Sequence, residues 1–162
     1  MLHTYGGVYA DIDVECVVPI LEWAGFSSAA GIVGVEGNLS SEALRRHVGF
    51  SHQLQFVQWT MAFAPRHPLL AAALYNVKRN IEGGVNDTIF KTGPGPWTDA
   101  VAAHQNEVTV LSGDAFACGG YSNSGCKPYP KNSATHTHKT SLIRHRFCGS
   151  WKPREFQGRC SS

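Results

Sequence analysis

Residues 5–14 read YGGVYADIDV, and this stretch decides how the chain is interpreted. A Gly pair precedes a short apolar run, and two carboxylates, Asp11 and Asp13, stand one residue apart at its end. Side chains alternate between the two faces of a strand, so residues i and i+2 point the same way. The pattern therefore predicts a strand over residues 8–14 that presents both carboxylates on one face.

The paired carboxylates indicate a cation site. Two like charges at this spacing repel, and burying either one is costly without a counter-ion. Mg²⁺ or Mn²⁺ takes oxygen ligands from one or two carboxylates together with the phosphate oxygens of a substrate. Gly6 and Gly7 allow a sharp turn or a close approach to a ligand. Because this tripeptide also occurs in edge strands with two solvated Asp residues, the motif alone leaves both interpretations open.

Hydrophobic patterning indicates an α/β fold, because segments typical of strands alternate with segments typical of helices. Helices are predicted over residues 68–81 and 98–104. The helix at 68–81 begins at a Pro, ends before a Gly pair and repeats Leu70, Leu74 and Ile81 on one face. An irregular loop is predicted over residues 112–140. The predicted strands cover residues 8–14, which we expect to be a buried parallel strand in the middle of the sheet, and also 32–35, 56–63, 108–111 and 141–145.

Composition is typical of one globular domain spanning residues 1–162. Apolar residues make up 43% and charged residues 16% of the chain. The formal net charge is +2, so a broad basic surface for nucleic acid is not supported. No apolar run approaches the roughly 18 residues that a membrane span needs, and no targeting signal is visible.

Five cysteines are present and none forms a C-x-x-C pair, which disfavours a zinc ribbon. Cys16 stands in an apolar run and is predicted to be a buried thiol. In an oxidising lumen, bridges between Cys118 and Cys126 and between Cys148 and Cys160 are both feasible, and the sequence does not choose between disulfide patterns.

Three further segments add specificity to the motif at residues 5–14. They read QFVQWTMA at 55–62, TGPGPWTDAV at 92–101 and HRFCGSWK at 145–152. Together with LHTYGGVYADID at 2–13, this set resembles the DXD-containing glycosyltransferases of glycosyltransferase family 32. Within that family it resembles the initiation-specific α-1,6-mannosyltransferases of fungal-type N-glycan outer-chain synthesis. The resemblance covers about residues 2–153.

The resemblance implies a GT-A-like fold, which is a Rossmann-like α/β sandwich for nucleotide-diphospho-sugars. It implies retaining transfer of mannose from GDP-mannose to an N-glycan, with Mn²⁺ or Mg²⁺ as cofactor. Transfer to a glycolipid, as in inositol phosphoceramide mannosyltransferases, stays open as an alternative. Because the chain begins almost at the motif, we expect it to lack the N-terminal βαβ portion of the catalytic domain. An inactive truncated fragment is therefore a further alternative.

The resemblance also implies where the chain works. Its relatives act in the Golgi or another part of the secretory-pathway lumen, and they are membrane-anchored. The expectation is a nucleotide-sugar donor and a glycan or glycolipid acceptor as partners, with the membrane anchor of the full-length parent outside this chain.

Residue roles implied by the resemblance fall into two groups. Asp11, Asp13 and His145 form the metal and catalytic set, in which Asp13 is the direct ligand and Asp11 contacts the ribose and also the ion, directly or through water. A neutral imidazole suits Mn²⁺ better than Mg²⁺. Trp151 and Lys152 lie over the donor, where the indole N–H and the ammonium contact phosphate.

The remaining substrate-binding candidates are Tyr5, Gly6, Gly7, Gln58, Trp59 and Gly93. Gln58 and Trp59 would line the sugar or acceptor pocket, and Gly93 would form its floor. Core packing is the alternative role for Trp59. No general base is nominated, because a retaining transfer needs none if the leaving phosphate takes the acceptor's proton.

Overall fold

The computed structural model describes residues 1–117 and 141–146. In this part of the chain, helices and strands alternate, with 3₁₀ turns at Ile20–Glu22 and Gln105–Glu107. The helices are α1 (Leu2–Tyr5), α2 (Glu42–Val48), α3 (Pro68–Glu82), α4 (Thr88–Lys91), α5 (Pro94–Ala103) and α6 (Gly113–Ala117). The strands are β1 (Gly7–Ala10), β2 (Val14–Cys16), β3 (Gly31–Asn38), β4 (Leu54–Phe56), β5 (Thr60–Phe63), β6 (Thr109–Leu111) and β7 (Ile143–His145).

A five-stranded mixed sheet is built around β3. Strand β1 pairs antiparallel with β5, and β3 pairs antiparallel with β5 and β4 and parallel with β6. Strands β1, β3 and β6 therefore run in one direction, and their carboxyl ends lie towards the same edge of the sheet. Ligands of open α/β sheets bind outside this edge. The predicted mixed α/β class is confirmed.

Two apolar clusters cover the two faces of this sheet. Ile32 and Val33 are adjacent in β3 and belong to different clusters, as strand alternation requires. The cluster around Ile32 includes Phe116 of α6 and Ile143 of β7. The cluster around Val33 includes residues of α3 and α5, among them Leu69. The sheet is thus sandwiched between α3 and α5 on one side and α6 with β7 on the other.

The predicted single strand over residues 8–14 is wrong. The chain leaves the five-stranded sheet after Ala10, turns at residues 11–13, and continues as β2, which pairs with β7 in a separate two-stranded sheet. Among the described strands β1 pairs with β5 alone and is antiparallel to it, so it is neither central nor parallel. The cause is the turn, in which the Val14 amide donates to the Asp11 carbonyl at 3.0 Å. A short apolar run does not distinguish an edge strand from a buried one.

The predicted strand over residues 56–63 is also interrupted. Strands β4 and β5 run antiparallel to successive parts of β3, and residues 57–59 bulge out between them. The Val57 amide still donates to the Gly34 carbonyl at 2.9 Å. An extra residue in one strand bends that strand and re-aims its side chains. The bulge therefore turns Gln58 and Trp59 away from the positions that a regular strand would give them.

Helix α3 confirms the predicted helix at residues 68–81, but the predicted apolar face is partly wrong. Leu74 and Ile81 are 64% and 54% exposed, whereas Leu69 and Leu70 are buried. The helix packs against α5 and α4 beside the sheet. Its buried face therefore begins at Leu69, one residue before the Leu70 at which the predicted apolar face starts.

The other predicted elements are found with shifted ends. Helix α5 begins at Pro94 rather than near residue 96, and β3, β6 and β7 match the strands predicted at 32–35, 108–111 and 141–145. Helix α6 lies in the stretch predicted to be an irregular loop, and residues 118–140 of that loop lie outside the described part. Among the residues that the structure describes, no helix combines the length and apolarity needed to cross a bilayer.

The prediction for Cys16 is wrong, because this thiol is exposed at the end of β2, where its Sγ donates to the Val18 carbonyl at 3.1 Å. Its apolar neighbours Val17 and Val18 turn towards the core instead. Cys118, Cys126, Cys148 and Cys160 lie outside the described residues, so the proposed bridges stay predictions.

Candidate metal centre

Asp11, Asp13 and His145 come together at the carboxyl end of β1. Each offers one ligand atom, and these atoms all lie within 4.8 Å of one another. His145 Nε2 is 3.4 Å from Asp13 Oδ1, and the side chains of His145 and Asp13 are 10% and 17% exposed. The cluster is therefore partly buried and still open to solvent on one side.

Backbone pairing explains why residues so far apart in sequence meet. Strand β2 pairs with β7 so that Val14 stands opposite His145, and the Arg146 amide donates to the Asp13 carbonyl at 2.9 Å. On the other side, the Asp11 amide donates to the Trp59 carbonyl at 2.9 Å, which extends the β1–β5 pairing by one step. Both aspartates are thus held by their backbones, on a turn rather than on one face of a strand.

The electrostatics of the cluster favour a neutral imidazole on His145. Burial lowers the pKa of His145, and the charges of Asp13 and Asp11 oppose that lowering. A neutral imidazole retains a lone pair for a metal ion. The neighbouring cations Arg144 and Arg146 both pair with Glu15, at 3.2 and 3.0 Å.

Tyr9 is a residue of the site that the sequence analysis missed. Its hydroxyl donates to Asp11 Oδ1 at 2.6 Å. That hydrogen bond, together with burial and the charge of Asp11, raises the pKa of Tyr9 to about 12, so the phenol remains a donor at neutral pH. Strand alternation was the available signal, because Tyr9 precedes Asp11 by two residues and points to the same side.

The donor set fits a divalent cation. Two carboxylates and one imidazole provide hard oxygen ligands and one borderline nitrogen, which suits Mn²⁺ better than Mg²⁺. Among residues 1–117 and 141–146 this is the single group of three or more His, Cys, Asp or Glu side chains close enough to hold an ion. Ile12, between the two aspartates, points fully into solvent and leaves the cluster unobstructed from that position.

Trp59 is brought to the predicted metal ligands, with its ring centroid 4.7 Å from that of His145. Gln58 is turned elsewhere, because its Nε2 donates to the Gly93 carbonyl at 3.1 Å. Gly93 allows α4 and α5 to approach, since a Cβ there would lie 2.9 Å from the Ile89 Cα. Gln58 and Gly93 therefore contact each other and join the bulge to the start of α5.

The Gly pair has a backbone role in the structure. Gly6 and Gly7 have positive φ angles of 68° and 106°, and a Cβ on Gly6 would lie 2.7 Å from the Phe63 carbonyl oxygen. Only Gly adopts such a conformation against a neighbouring backbone without strain. Tyr5 is 76% exposed at the end of α1. Trp151 and Lys152 lie outside the described residues, so their roles over the donor stay predictions.

Comparison with known proteins finds similarity to proteins that carry glycosyltransferase names. It is similar to the initiation-specific alpha-1,6-mannosyltransferase of Schizosaccharomyces pombe, at 27% identity over 94% of this chain and 44% of that protein. It is also similar to the enzyme of the same name from Candida albicans, at 26% identity over 67% of this chain and 33% of that protein. HOC1 of Saccharomyces cerevisiae, which carries a glycosyltransferase name, is 29% identical over 66% of this chain and 31% of its own length.

These similarities confirm the resemblance to fungal mannosyltransferases. The chain spans less than half the length of each of the three curated relatives. No protein-family model matches the chain. No solved structure matches it either.

Proposed function

We propose that the chain contains the metal-binding half of the active site of a retaining, GT-A-like mannosyltransferase. The donor is GDP-mannose, and the ion is Mn²⁺ or Mg²⁺. The observation that carries the proposal is the meeting of Asp11, Asp13 and His145 within 4.8 Å at the carboxyl end of β1. The mannosyltransferase names of relatives that cover 94% and 67% of the chain support the class of substrate.

Each group at this centre has a distinct task. Asp13 and His145 would hold the ion from the β2–β7 side, and Asp11 would hold it from the end of β1, where the Tyr9 hydroxyl fixes its carboxylate. Such an ion would act as a Lewis acid and stabilise the negative charge of the departing diphosphate. The partly buried position of the cluster limits competing water, which strengthens these charge interactions.

Retention of configuration follows from attack on the face that the leaving group vacates. The bond from the sugar's C1 to the phosphate oxygen breaks, and the bond from C1 to the acceptor oxygen forms on the same face. The acceptor's proton passes to the departing phosphate oxygen, so no protein base is required. The proposed acceptor is an N-glycan that receives an α-1,6-linked mannose in the secretory-pathway lumen; an inositol phosphoceramide acceptor is distinguished by assaying both.

The test is calorimetric titration of the chain with GDP-mannose in the presence and absence of Mn²⁺, beside UDP-glucose and UDP-galactose. We expect selective binding of GDP-mannose that requires Mn²⁺ and is lost on addition of a chelator. Asp13→Ala and His145→Ala should each abolish the Mn²⁺-dependent binding of GDP-mannose, because each variant lacks one of the three proposed metal ligands.

Glu82→Gln is the control, since Glu82 is an exposed carboxylate at the end of α3, where it pairs with Lys78 at 3.6 Å. It should bind Mn²⁺ and donor as the parent chain does. Absence of Mn²⁺ binding by folded protein overturns the metal centre. If the chain binds Mn²⁺ but binds none of the three nucleotide sugars, this length of chain is an inactive fragment. Preference for a UDP-sugar overturns the assignment of the donor.

A further inference from the structure

Trp59 makes both ring and backbone contacts around the candidate metal centre. Its ring centroid lies 4.7 Å from that of His145 at an interplanar angle of 41°. Its indole Nε1 donates to the Phe116 carbonyl at 2.9 Å, and its own carbonyl accepts from the Asp11 amide at 2.9 Å. One residue therefore touches two of the three predicted metal ligands and is anchored to α6.

We propose that Trp59 is a positioning residue of the metal centre, which fixes the imidazole plane of His145 and the backbone of Asp11, rather than a platform on which the sugar stacks. This inference rests on the proposed metal centre. It assigns to Trp59 a role that differs from the substrate contact predicted from the sequence.

The bulge between β4 and β5 is what makes this arrangement possible. Thr60 pairs with Ala10 in the regular ladder, and the next step outward joins Trp59 to Asp11. Immediately before Trp59 the chain departs from β3. The direction of the indole is therefore not set by the alternation of a regular strand, and the ring reaches the imidazole of His145. A regular strand over residues 56–63 would not provide both contacts from one residue.

The indole's polar edge is already used inside the protein. Because Nε1–H donates to the Phe116 carbonyl, the ring has a fixed orientation, and the partly buried indole packs against the core cluster that contains Phe116. A ring held at its edge and packed on an imidazole resists rotation of that imidazole. Groups that orient metal ligands from outside the coordination sphere typically change metal affinity about 10- to 100-fold.

The experiment measures Mn²⁺ affinity without any nucleotide sugar, by electron paramagnetic resonance of the free ion. Trp59→Leu removes the aromatic face, and Trp59→Phe keeps a face but loses the N–H bond to Phe116. We expect Mn²⁺ to bind about 10-fold or more weakly to Trp59→Leu, with Trp59→Phe in between. Donor affinity at saturating Mn²⁺ should stay unchanged for both variants.

Trp23→Phe is the matched control. Trp23 also packs on Phe116, at 5.1 Å between centroids, and its Nε1 also donates to a backbone carbonyl, that of Val18. It should leave Mn²⁺ affinity unchanged. Equal weakening by Trp23→Phe, or unchanged Mn²⁺ affinity with weaker donor binding in the Trp59 variants, overturns the inference.

Two further measurements keep the failures distinguishable. If Trp59→Leu does not fold, as judged by circular dichroism, the Mn²⁺ affinities of Trp59→Phe and Trp23→Phe are compared instead. Weaker binding by Trp59→Phe alone supports the inference, and equal affinities overturn it. If the parent chain binds Mn²⁺ and the Trp59 variants bind it equally well, this inference alone fails. If the folded parent chain binds no Mn²⁺, the proposed metal centre and the role of Trp59 fail together.

Discussion

Glu36→Gln should stabilise the protein above pH 7 and leave its stability nearly unchanged at pH 5. Glu36 sits at an irregularity of β3, between Val35 and Gly37, where its Oε2 accepts from Gln55 Nε2 at 2.9 Å. Burial raises the pKa of Glu36 from 4.5 to about 7, and the hydrogen bond from Gln55 opposes this only in part. The folded protein therefore favours the protonated carboxyl.

The sign of the effect follows from proton binding. Between pH 4.5 and about 7 the folded state holds a proton that the unfolded state has released, so the free energy of unfolding falls by about 1.4 kcal/mol per pH unit. The full difference in pKa corresponds to about 3 kcal/mol, and partial exposure of Glu36 reduces this to about 2 kcal/mol. Glutamine has the same shape and can accept the same hydrogen bond without a charge, so it removes this loss.

The assay is urea unfolding of both proteins at pH 5, 6, 7 and 8, followed by tryptophan fluorescence. We expect the difference in unfolding free energy to grow from near zero at pH 5 to about 2 kcal/mol at pH 8. Glu42→Gln is the control without pH dependence: the hydrogen bond from Arg45 lowers the pKa of the exposed Glu42, so its titration lies below this pH range and its effect should be nearly constant across it. A difference that stays constant across this pH range refutes the argument from burial.

Four substitutions test packing and capping by urea or thermal unfolding. Gly34→Ala places a Cβ 2.6 Å from the ring of the buried Phe116 and should cost about 1–3 kcal/mol; a neutral result would mean that the ring can move. Ser41→Ala removes the side-chain cap of α2 and should cost about 1 kcal/mol, and no loss would show that the cap contributes nothing in solution. Leu69→Ala should cost about 2–5 kcal/mol, whereas Leu74→Ala should change stability by less than about 0.5 kcal/mol. Equal costs for the two leucines would contradict the packing of α3.

The sequence predicts which residues meet at the candidate metal centre better than it predicts how they are arranged. Asp11, Asp13 and His145 were nominated from a motif and a resemblance, and the structure brings them together. The geometry differs from the expectation, because the aspartates lie on a turn. Alternation along a strand is a local rule, whereas the turn is stabilised by the pairing of β2 with β7, which involves residues about 130 positions apart.

The fold shows the same division between local and non-local causes. Helix α3 was predictable because Pro68 begins it and Gly83 follows it, and both are local signals. The break between β4 and β5 was not predictable, since the apolar run around Val57 fits one strand and only pairing with β3 shows the bulge. Glu36 is a charged residue within an apolar strand, and this charge was an available sign of the irregularity between Val35 and Gly37.

Asp13 and His145 are far apart in sequence, so the proposed ion between them would have a mechanical consequence. Strands β2 and β7 have three residues each, and a two-stranded sheet of this size is marginal by itself. The proposed ion, if held by both residues, would be a removable cross-link that closes a loop of about 130 residues, the kind of closure that restricts the unfolded chain strongly. Its stabilising effect rises with the concentration of the ion. Chelation should therefore release the amides of β7 to hydrogen exchange before those of β3, so that the last described strand reports on the loading of the site.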